Sequence, residues 1–407
     1  MITSPDPSRP PVDASPAATP LLPILTITAL NSFSTGAISY SIFFVAKLQY
    51  AFDEVRNLAL GLMMGFMYVV GALAIGPVLR RASRRSNAMG TRGVFLMLMV
   101  LLSGVIALPS MVASELVLWV ASAVYMPLVG GVWPITESYI SGGRTGRALR
   151  HATSAFNVTW APAVMVSMWM VAPLLDIRPL AVFGVIALVH ALCVPAVLKL
   201  PREPAHHMVE TPEPHPAVYE SLLIVFRWML VCAYLIGAVI SPLLPDRFAT
   251  LDVHPSYALA LTSTWTLTRI VMFATMGVWH FWHGKWRTVI WTFGTLLGGF
   301  GLALLAPSAT LLVVGLAIMG VGMGGIYTAA LYYAMSVGAS EVEAGGKHEA
   351  AIGLGFTLGP LAGLGGYWVA GELPETLSAN QWTLTLTVAL IVLMMLGATR
   401  NAIRIRT

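Results

Sequence analysis

Apolar residues dominate twelve stretches of this chain, and short polar segments separate each stretch from the next. Each stretch holds about 20 residues, the length that crosses the hydrocarbon core of a bilayer as a helix. Because lipid offers no hydrogen-bond partners, such a segment must satisfy its own backbone N–H and C=O groups, which a helix does. The predicted membrane spans are 21–46, 57–79, 93–113, 116–140, 151–175, 179–198, 221–244, 257–282, 288–306, 308–336, 346–370 and 381–399.

The composition excludes a soluble protein. Of 407 residues, 57% are hydrophobic and 10% are charged, whereas a soluble domain carries about 25% charged residues. Both cysteines, Cys193 and Cys232, fall inside predicted spans. They are expected to be small apolar core residues, and a disulfide framework is not indicated.

The 23 basic residues are distributed unevenly between the two sides of the predicted membrane. With a cytoplasmic N-terminus, 17 fall in inner segments, four fall in outer loops and two, Arg227 and Arg269, fall inside spans. Because cytoplasmic loops carry an excess of Lys and Arg, both termini are predicted to lie in the cytoplasm, at the cell membrane. This distribution accounts for the net charge of +5 without nucleic acid as a partner.

Composition also divides the chain along its length. Residues 1–20 are rich in Pro, Ser and Ala and are predicted to form a disordered cytoplasmic tail. A Pro-rich, charged interruption at 199–220 separates six spans in 21–198 from six spans in 221–400, and 401–407 forms a second cytoplasmic tail. The interruption is therefore predicted to be a cytoplasmic central loop between two six-helix bundles.

The two groups of six spans resemble each other as a repeat. Matching residues in corresponding spans are separated by offsets of 194 to 201. They pair Gly76 with Gly277, Trp133 with Tyr327, His151 with His348, and Pro162 with Pro360. A parallel repeat of this kind is one way of building a transporter, with the binding site between the halves near the bilayer midplane.

The segment after the second span reads Gly76-x-x-x-Arg80-Arg81-x-Ser83-Arg84-Arg85. It resembles the signature of the major facilitator superfamily of transporters, which runs roughly Gly-x-x-x-Asp-Arg-x-Gly-Arg-Arg/Lys. The first Gly, the following Arg and the basic pair are present. Arg80 stands in place of the acidic residue, which in the family helps to latch the two halves together, and Ser83 stands in place of the second Gly.

The resemblance covers about residues 21–400 and implies a fold and a mechanism. It implies an all-α integral membrane protein with 12 transmembrane helices in two pseudo-symmetric six-helix bundles. The bundles would rock about a midplane cavity and expose it alternately to each side of the membrane. Arg81, Arg84 and Arg85 are then expected to take part in gating.

Arg269 is the sharpest candidate for solute binding. It lies 12 residues into its span, roughly 18 Å along the helix and thus near the midplane. A charge at this depth costs at least about 2.5–3.5 kcal/mol, so it should face a wet cavity or a partner. It could anchor an anionic or polar group of a substrate, or it could be a structural Arg that binds neighbouring carbonyls or an acid. Trp265 lies four residues earlier, on the same helix face, and is also a candidate.

Polar and aromatic residues at helical spacing supply the other substrate-binding candidates. Asn31 and Thr35 belong to a polar stripe in the first span, and Asn157 and Trp160 share one face of the fifth span. Tyr327 occupies a repeated position in the tenth span. Such residues could line a solute cavity, or they could supply interhelical hydrogen bonds and core packing.

Glu137 is the candidate for coupling or gating among the acids. It lies near the cytoplasmic end of the fourth span, close to Arg144 and Arg147. A salt bridge or gate at the inner face is one interpretation. The other is a protonatable coupling site, because apolar surroundings favour the protonated form of a carboxylate. Glu349, close to Lys347, allows the same salt-bridge interpretation.

Enzyme chemistry is not indicated by any motif. The Gly-rich strings lie within predicted helices and lack the strand–turn–helix setting of a cofactor site. The sequence therefore predicts no catalytic residue, no metal site and no cofactor. It predicts a monomeric transporter of a small organic solute, anionic or polar, that works by uniport or by coupling to a proton or another ion. The alternative is a non-transporting membrane sensor or assembly protein on the same scaffold.

Overall fold

The computed structural model describes residues 18–85, 89–206, 215–337 and 343–404, which contain fourteen helices and no strand. Residues 1–17 of the first predicted tail, 405–407 of the second and part of the predicted central loop lie outside these ranges. The first half, 18–206, contains α1 Leu21–Tyr50, α2 Glu54–Arg85, α3 Thr91–Met111, α4 Glu115–Ser141, α5 Gly146–Val171, α6 Leu174–Ile177 and α7 Ala181–Leu198. The second half, 215–404, contains α8 Val218–Ala249, α9 Pro255–Thr262, α10 Thr264–Val278, α11 Trp286–Leu305, α12 Ala309–Ser336, α13 Glu343–Glu372 and α14 Ala379–Arg404.

Eleven helical segments of the described chain are long and apolar enough to cross a membrane. Large apolar side chains also point away from the protein on several of them. Val158, Leu188, Ile290 and Leu393 lie on four different helices and are each 60–71% exposed. Many exposed apolar side chains on helices of this length suit lipid rather than water, so the chain is a multi-pass membrane protein.

The region predicted as a single eighth span, 257–282, differs from the prediction. It consists of α9 and α10, each too short to cross a bilayer alone, and α10 ends at Val278. Ser263 divides them, because its N–H donates to the Ala260 carbonyl three residues back rather than four. Its hydroxyl donates to the same carbonyl at 2.6 Å, and side-chain bonding of this type bends helices.

The two halves are in close backbone contact where α2 crosses α13. A Cβ atom at Gly65 would lie 2.4 Å from the Phe356 backbone, and one at Gly353 would lie 2.7 Å from the Val69 side chain. Glycine at these positions lets the two helices approach each other more closely than any larger residue would. The contact places Tyr68 on α2 beside the start of α13.

Loops at the two ends of the helices define two faces. The first-loop face holds the turn 51–53 between α1 and α2, and the central-loop face holds 199–206. On the first-loop face, Lys47 of the first half forms an ion pair with Asp246 of the second half. Close by, the His254 ring lies 3.4 Å from the Asp176 carboxylate. The halves are thus held together by charge at the first-loop face.

On the central-loop face, the described loop packs against the first half alone. The Tyr139 hydroxyl donates to the Pro201 carbonyl at 2.9 Å, and the Arg92 N–H donates to the Arg202 carbonyl at 3.1 Å. Arg144 donates to the carbonyls of Ile140 and Thr19. The start of the predicted central loop therefore belongs structurally to the first half.

Candidate functional site

A cavity of about 200 Å³ lies between the two halves. A single water needs only about 10–15 Å³ of such space, so there is room for a small organic molecule. Residues of α1, α2, α4 and α5 form one wall, and residues of α8, α10, α12 and α13 form the other. Five of the seven predicted substrate-binding residues line it, and they are Thr35, Trp160, Trp265, Arg269 and Tyr327.

Asn31 is not among the lining residues. Its side chain is 1% exposed and makes no hydrogen bond with the described residues. The cavity face of α1 carries Ser32, Gly36 and Ser39. At 3.6 residues per turn, Asn31 is rotated by about 100° from the centre of that face. Thr35, from the same polar stripe, does line the cavity, so the stripe borders the cavity face and Asn31 lies on its buried side.

Arg269 lies among four aromatic rings. Its guanidinium carbon is 4.7 Å from the Trp160 ring centre, 5.0 Å from that of Tyr327, and 5.6 Å from those of Tyr234 and Phe273. Cations are attracted to the faces of such rings, and the attraction strengthens where water is excluded. We call these four rings and Arg269 the aromatic cage.

The cage leaves the charge of Arg269 without a counter-ion among the described residues. The side chain is 8% exposed. One terminal nitrogen, Nη2, donates to the Tyr234 hydroxyl at 3.2 Å, and the buried Nε–H has no partner. Buried charges are usually paired, so this guanidinium retains unused capacity to donate hydrogen bonds.

Asn157 lies behind the cage rather than in the cavity lining. Its Oδ1 accepts a hydrogen bond from the Trp160 indole at 2.9 Å and one from the Tyr327 hydroxyl at 3.2 Å. These two rings also contact each other edge to face, with centroids 5.6 Å apart. The position therefore orients two rings of the cage, one from each half of the chain.

Trp265 lies on the wall formed by the second half, where it faces α1 of the first half. Its ring contacts Tyr40 edge to face at 5.3 Å and packs closely over Gly237, where a Cβ atom would lie 3.0 Å from the indole. The indole N–H is buried without a partner in the described structure. Like the Arg269 guanidinium, the Trp265 indole has an N–H that is available to donate a hydrogen bond to a ligand.

Two carboxylates lie at the central-loop end of the cavity. Glu137 from α4 and Glu349 from α13 both line it, and Glu349 is 6% exposed. The Tyr68 hydroxyl donates to Glu349 across the two halves. Arg144 donates to backbone carbonyls instead of Glu137, and no ion pair joins either acid to a described basic side chain.

The predicted gating arginines lie at the end of α2. Arg81 is exposed there and takes part in no ion pair with any described residue. The side chains of Arg84 and Arg85 fall outside the described part of the chain. Their role in gating stays a prediction.

Some residues of the site were not identified from the sequence. Phe273 lies four residues after Arg269, on the same helix face, so helical spacing could have identified it. Tyr234, Tyr40 and Phe356 carry no comparable signal, because their places depend on how α1, α8 and α13 pack. Within the described residues, no group of three or more His, Cys, Asp or Glu could hold a metal ion.

No family model matches this sequence, and neither does any curated protein. Solved structures do match its fold. The nucleoside transporter NupG has 12% identity to the chain, with a TM-score of 0.65 over 93% of this chain and 98% of that one. The human organic anion transporter MFSD10 has 12% identity and a TM-score of 0.60, over 93% and 98%.

An auto-inhibited POT family peptide transporter has 10% identity and a TM-score of 0.70, over 94% of this chain and 96% of its own. The three transporters agree in fold with this all-helical chain along nearly its whole length. The chain has the fold of the major facilitator superfamily.

Proposed function

We propose that this protein transports a small organic anion across the membrane by alternating access. The observation that carries the proposal is Arg269, a buried cation without a counter-ion in the central cavity. A substrate carboxylate, sulfonate or phosphate would supply that counter-ion through charge-assisted hydrogen bonds. The surrounding rings suit an apolar or aromatic body, because flat groups pack well against them.

The architecture supports this mechanism. The two halves, each with six crossings, would move against each other as bundles. In this arrangement α9 and α10 together make the twelfth crossing, since 255–278 spans about 36 Å as a helix. The named structural relatives transport nucleosides, peptides and organic anions, and the shared fold makes solute transport the first function to test.

The proposed orientation places the central-loop face in the cytoplasm, at the cell membrane. It rests on the excess of Lys and Arg in the segments of that face. A cysteine at exposed Lys199, in a chain without Cys193 and Cys232, should resist an impermeant reagent in intact cells, whereas one at exposed Glu375 should react. The reverse pattern would contradict this orientation.

A thermal-shift screen on purified protein tests the substrate class. The panel should contain small aromatic and aliphatic carboxylates, each paired with its neutral amide. Because a ligand that binds only the folded state raises stability, the acids should raise the melting temperature and the amides should not. The Arg269→Ala variant should lose the preference for acids, while Arg56→Ala, which alters an exposed arginine outside the cavity, should keep it.

Uptake into proteoliposomes then separates transport from binding. A ligand from the screen should accumulate only in vesicles that contain the protein. Specific binding without movement across the bilayer would favour the membrane sensor instead. Stabilisation by neutral amides as strong as that by acids would contradict the anion-binding role of Arg269.

A further inference from the structure

Two acids from opposite halves of the chain lie at one end of the cavity. Glu137 belongs to α4 of the first half, Glu349 belongs to α13 of the second half, and both line the same space. Their carboxylates interact electrostatically. Two negative charges that face one cavity inside a protein repel each other strongly, because the low dielectric of the protein does little to screen them.

Few groups around the two carboxylates can offset their charge. Tyr68 on α2 donates its hydroxyl hydrogen to Glu349, and no described side chain donates a hydrogen bond to Glu137. The positive charge of Arg269 is held in the aromatic cage. Tyr327 on α12 interacts electrostatically with both acids, and Tyr234 on α8 and His348 on α13 line the same cavity. Arg227 on α8 interacts with His348 and is not among the residues that line the cavity.

The two faces of the protein differ in how the halves are joined. The first-loop face has the ion pair of Lys47 with Asp246 between the halves. Away from the first-loop face, the polar side-chain contacts between the halves among the described residues include Tyr68 with Glu349 and Tyr327 with Asn157, and neither is an ion pair. In alternating access, the central-loop end must close when the first-loop face opens. Closure brings α4 and α13 together, and with them the two carboxylates.

We infer that Glu137 and Glu349 form a proton-binding pair whose occupancy controls closure of the central-loop face. A proton from water on that face binds a carboxylate oxygen of one acid, and the charge of the pair changes from −2 to −1. The protonated acid can then donate to the ionised one, while Tyr68 keeps its own hydrogen bond. The inference rests on the alternating access proposed above. It adds a binding site, which is the pair of acids, a ligand, which is the proton, and the direction in which pH shifts the conformation.

The direction follows from linkage between proton binding and conformation. Two acids that share one site cannot both stay ionised at low cost. The closed state therefore binds more protons than the open state, and acidic pH favours closure. Without the proton, repulsion between the acids keeps the central-loop face open.

Infrared spectroscopy of the purified protein tests the proton directly. A titration should show the C=O stretching band of a protonated carboxylic acid that persists at neutral pH and shifts in heavy water. Glu137→Gln and Glu349→Gln should each remove this band or shift its loss to lower pH, since the remaining acid faces a neutral amide. Glu115→Gln and Glu372→Gln, which change acids at the opposite ends of α4 and α13, should leave it unchanged.

Distance measurements between two spin labels test the link to closure. Exposed Ala148 on α5 and Arg287 on α11 can carry labels in a chain without Cys193 and Cys232. Acidification should move the distance distribution toward shorter values in the parent chain. The distribution should no longer depend on pH in Glu349→Gln.

Neither measurement needs a solute. The proton-binding pair can therefore be disproved while anion transport is confirmed, and anion transport can be disproved while the proton-binding pair is confirmed. A parent chain without a protonated-carboxyl band near neutral pH would overturn it, even if no variant could be purified. A band unchanged in both glutamine variants would overturn it as well. A purely structural role would appear as lower stability in Tyr68→Phe and Glu349→Gln with no pH-dependent distance change.

Discussion

Charged residues have different partners in two regions of this protein. At the first-loop face, Lys47 pairs with Asp246 and Arg56 pairs with Glu115. In the central cavity, Arg269 has aromatic rings and one hydroxyl as neighbours, and none of its described neighbours is an acid. Ion pairs near water hold parts of the protein together at low cost. An unpaired charge in the interior is costly, and it is retained where a mobile ligand can pair with it.

The largest effect on ligand affinity should come from changing the geometry of the charged group in the cavity. Arg269→Lys keeps the positive charge but loses the planar fork that binds two oxygens at once. A hydrogen bond to a charged group contributes about 1.5–3 kcal/mol, so binding of an acid identified in the screen should weaken about ten- to a hundredfold. Titration calorimetry measures the affinity.

The control for this prediction is the thermal stability of the two variants Arg269→Lys and Arg269→Ala. Arg269→Ala removes a costly buried charge, so the variant should still insert and unfold at a temperature close to that of the parent chain. A large loss of stability in both variants would show that Arg269 is a structural residue, and the contrast between the two regions would fail.

The next largest effect should come from the Lys47–Asp246 pair. In Lys47→Met, the partly buried Asp246 carboxylate loses its partner, which costs about 1–3 kcal/mol in the closed first-loop face. That face should open more often. A cysteine at Ser241, on the cavity wall, should then react roughly tenfold faster with an impermeant reagent added from that side.

A swap of the two charges provides the control for this pair. Lys47→Asp combined with Asp246→Lys restores an ion pair between the halves and should restore slow labelling. If the swapped chain labels as quickly as Lys47→Met, the pair does not act as a latch.

A smaller effect on solute affinity is expected from substitution of Asn157, which lies behind the aromatic cage. Asn157→Ala removes the acceptor that orients Trp160 and Tyr327 but leaves Arg269 in place. Loss of a neutral hydrogen bond costs about 1 kcal/mol, so solute affinity should fall about fivefold. Asn157→Asp keeps an acceptor at the same position and serves as the matched variant. Equal affinities in the parent chain and Asn157→Ala would show that the cage does not need this support.

The smallest effect is expected for Arg56 and Glu115. Their side chains are each 41% exposed, and exposed ion pairs contribute little because water and salt screen them. Arg56→Ala should change neither thermal stability nor solute binding measurably. A pronounced loss of transport in Arg56→Ala would contradict this expectation, because it would show that an exposed ion pair matters as much as the buried charge of Arg269.

The apolar pattern determined the architecture of the chain almost completely. Segments of about 20 apolar residues have one solution in lipid, because each must satisfy its own backbone. The signature at Gly76 and the repeat then indicated one membrane fold among several. The exception was 257–282, where Ser263 divides α9 from α10 and its hydroxyl accepts a hydrogen bond from the Trp169 indole of the other half at 2.8 Å.

Counting residues along its span predicted that Arg269 lies near the midplane, and the structure places this residue in the cavity between the halves. The sequence did not determine the rotation of each helix about its axis. For α1, a difference of one residue separates buried Asn31 from the cavity-lining Ser32.

Only the tertiary structure decided which residues from distant segments meet. The aromatic cage combines α5, α8, α10 and α12, and the two acids come from α4 and α13. Nothing in local spacing connects Glu137 with Glu349, because their distance depends on the packing of the two halves. Apolar periodicity is a property of single helices, whereas the unpaired charge and the shared acid site are properties of the interface between them.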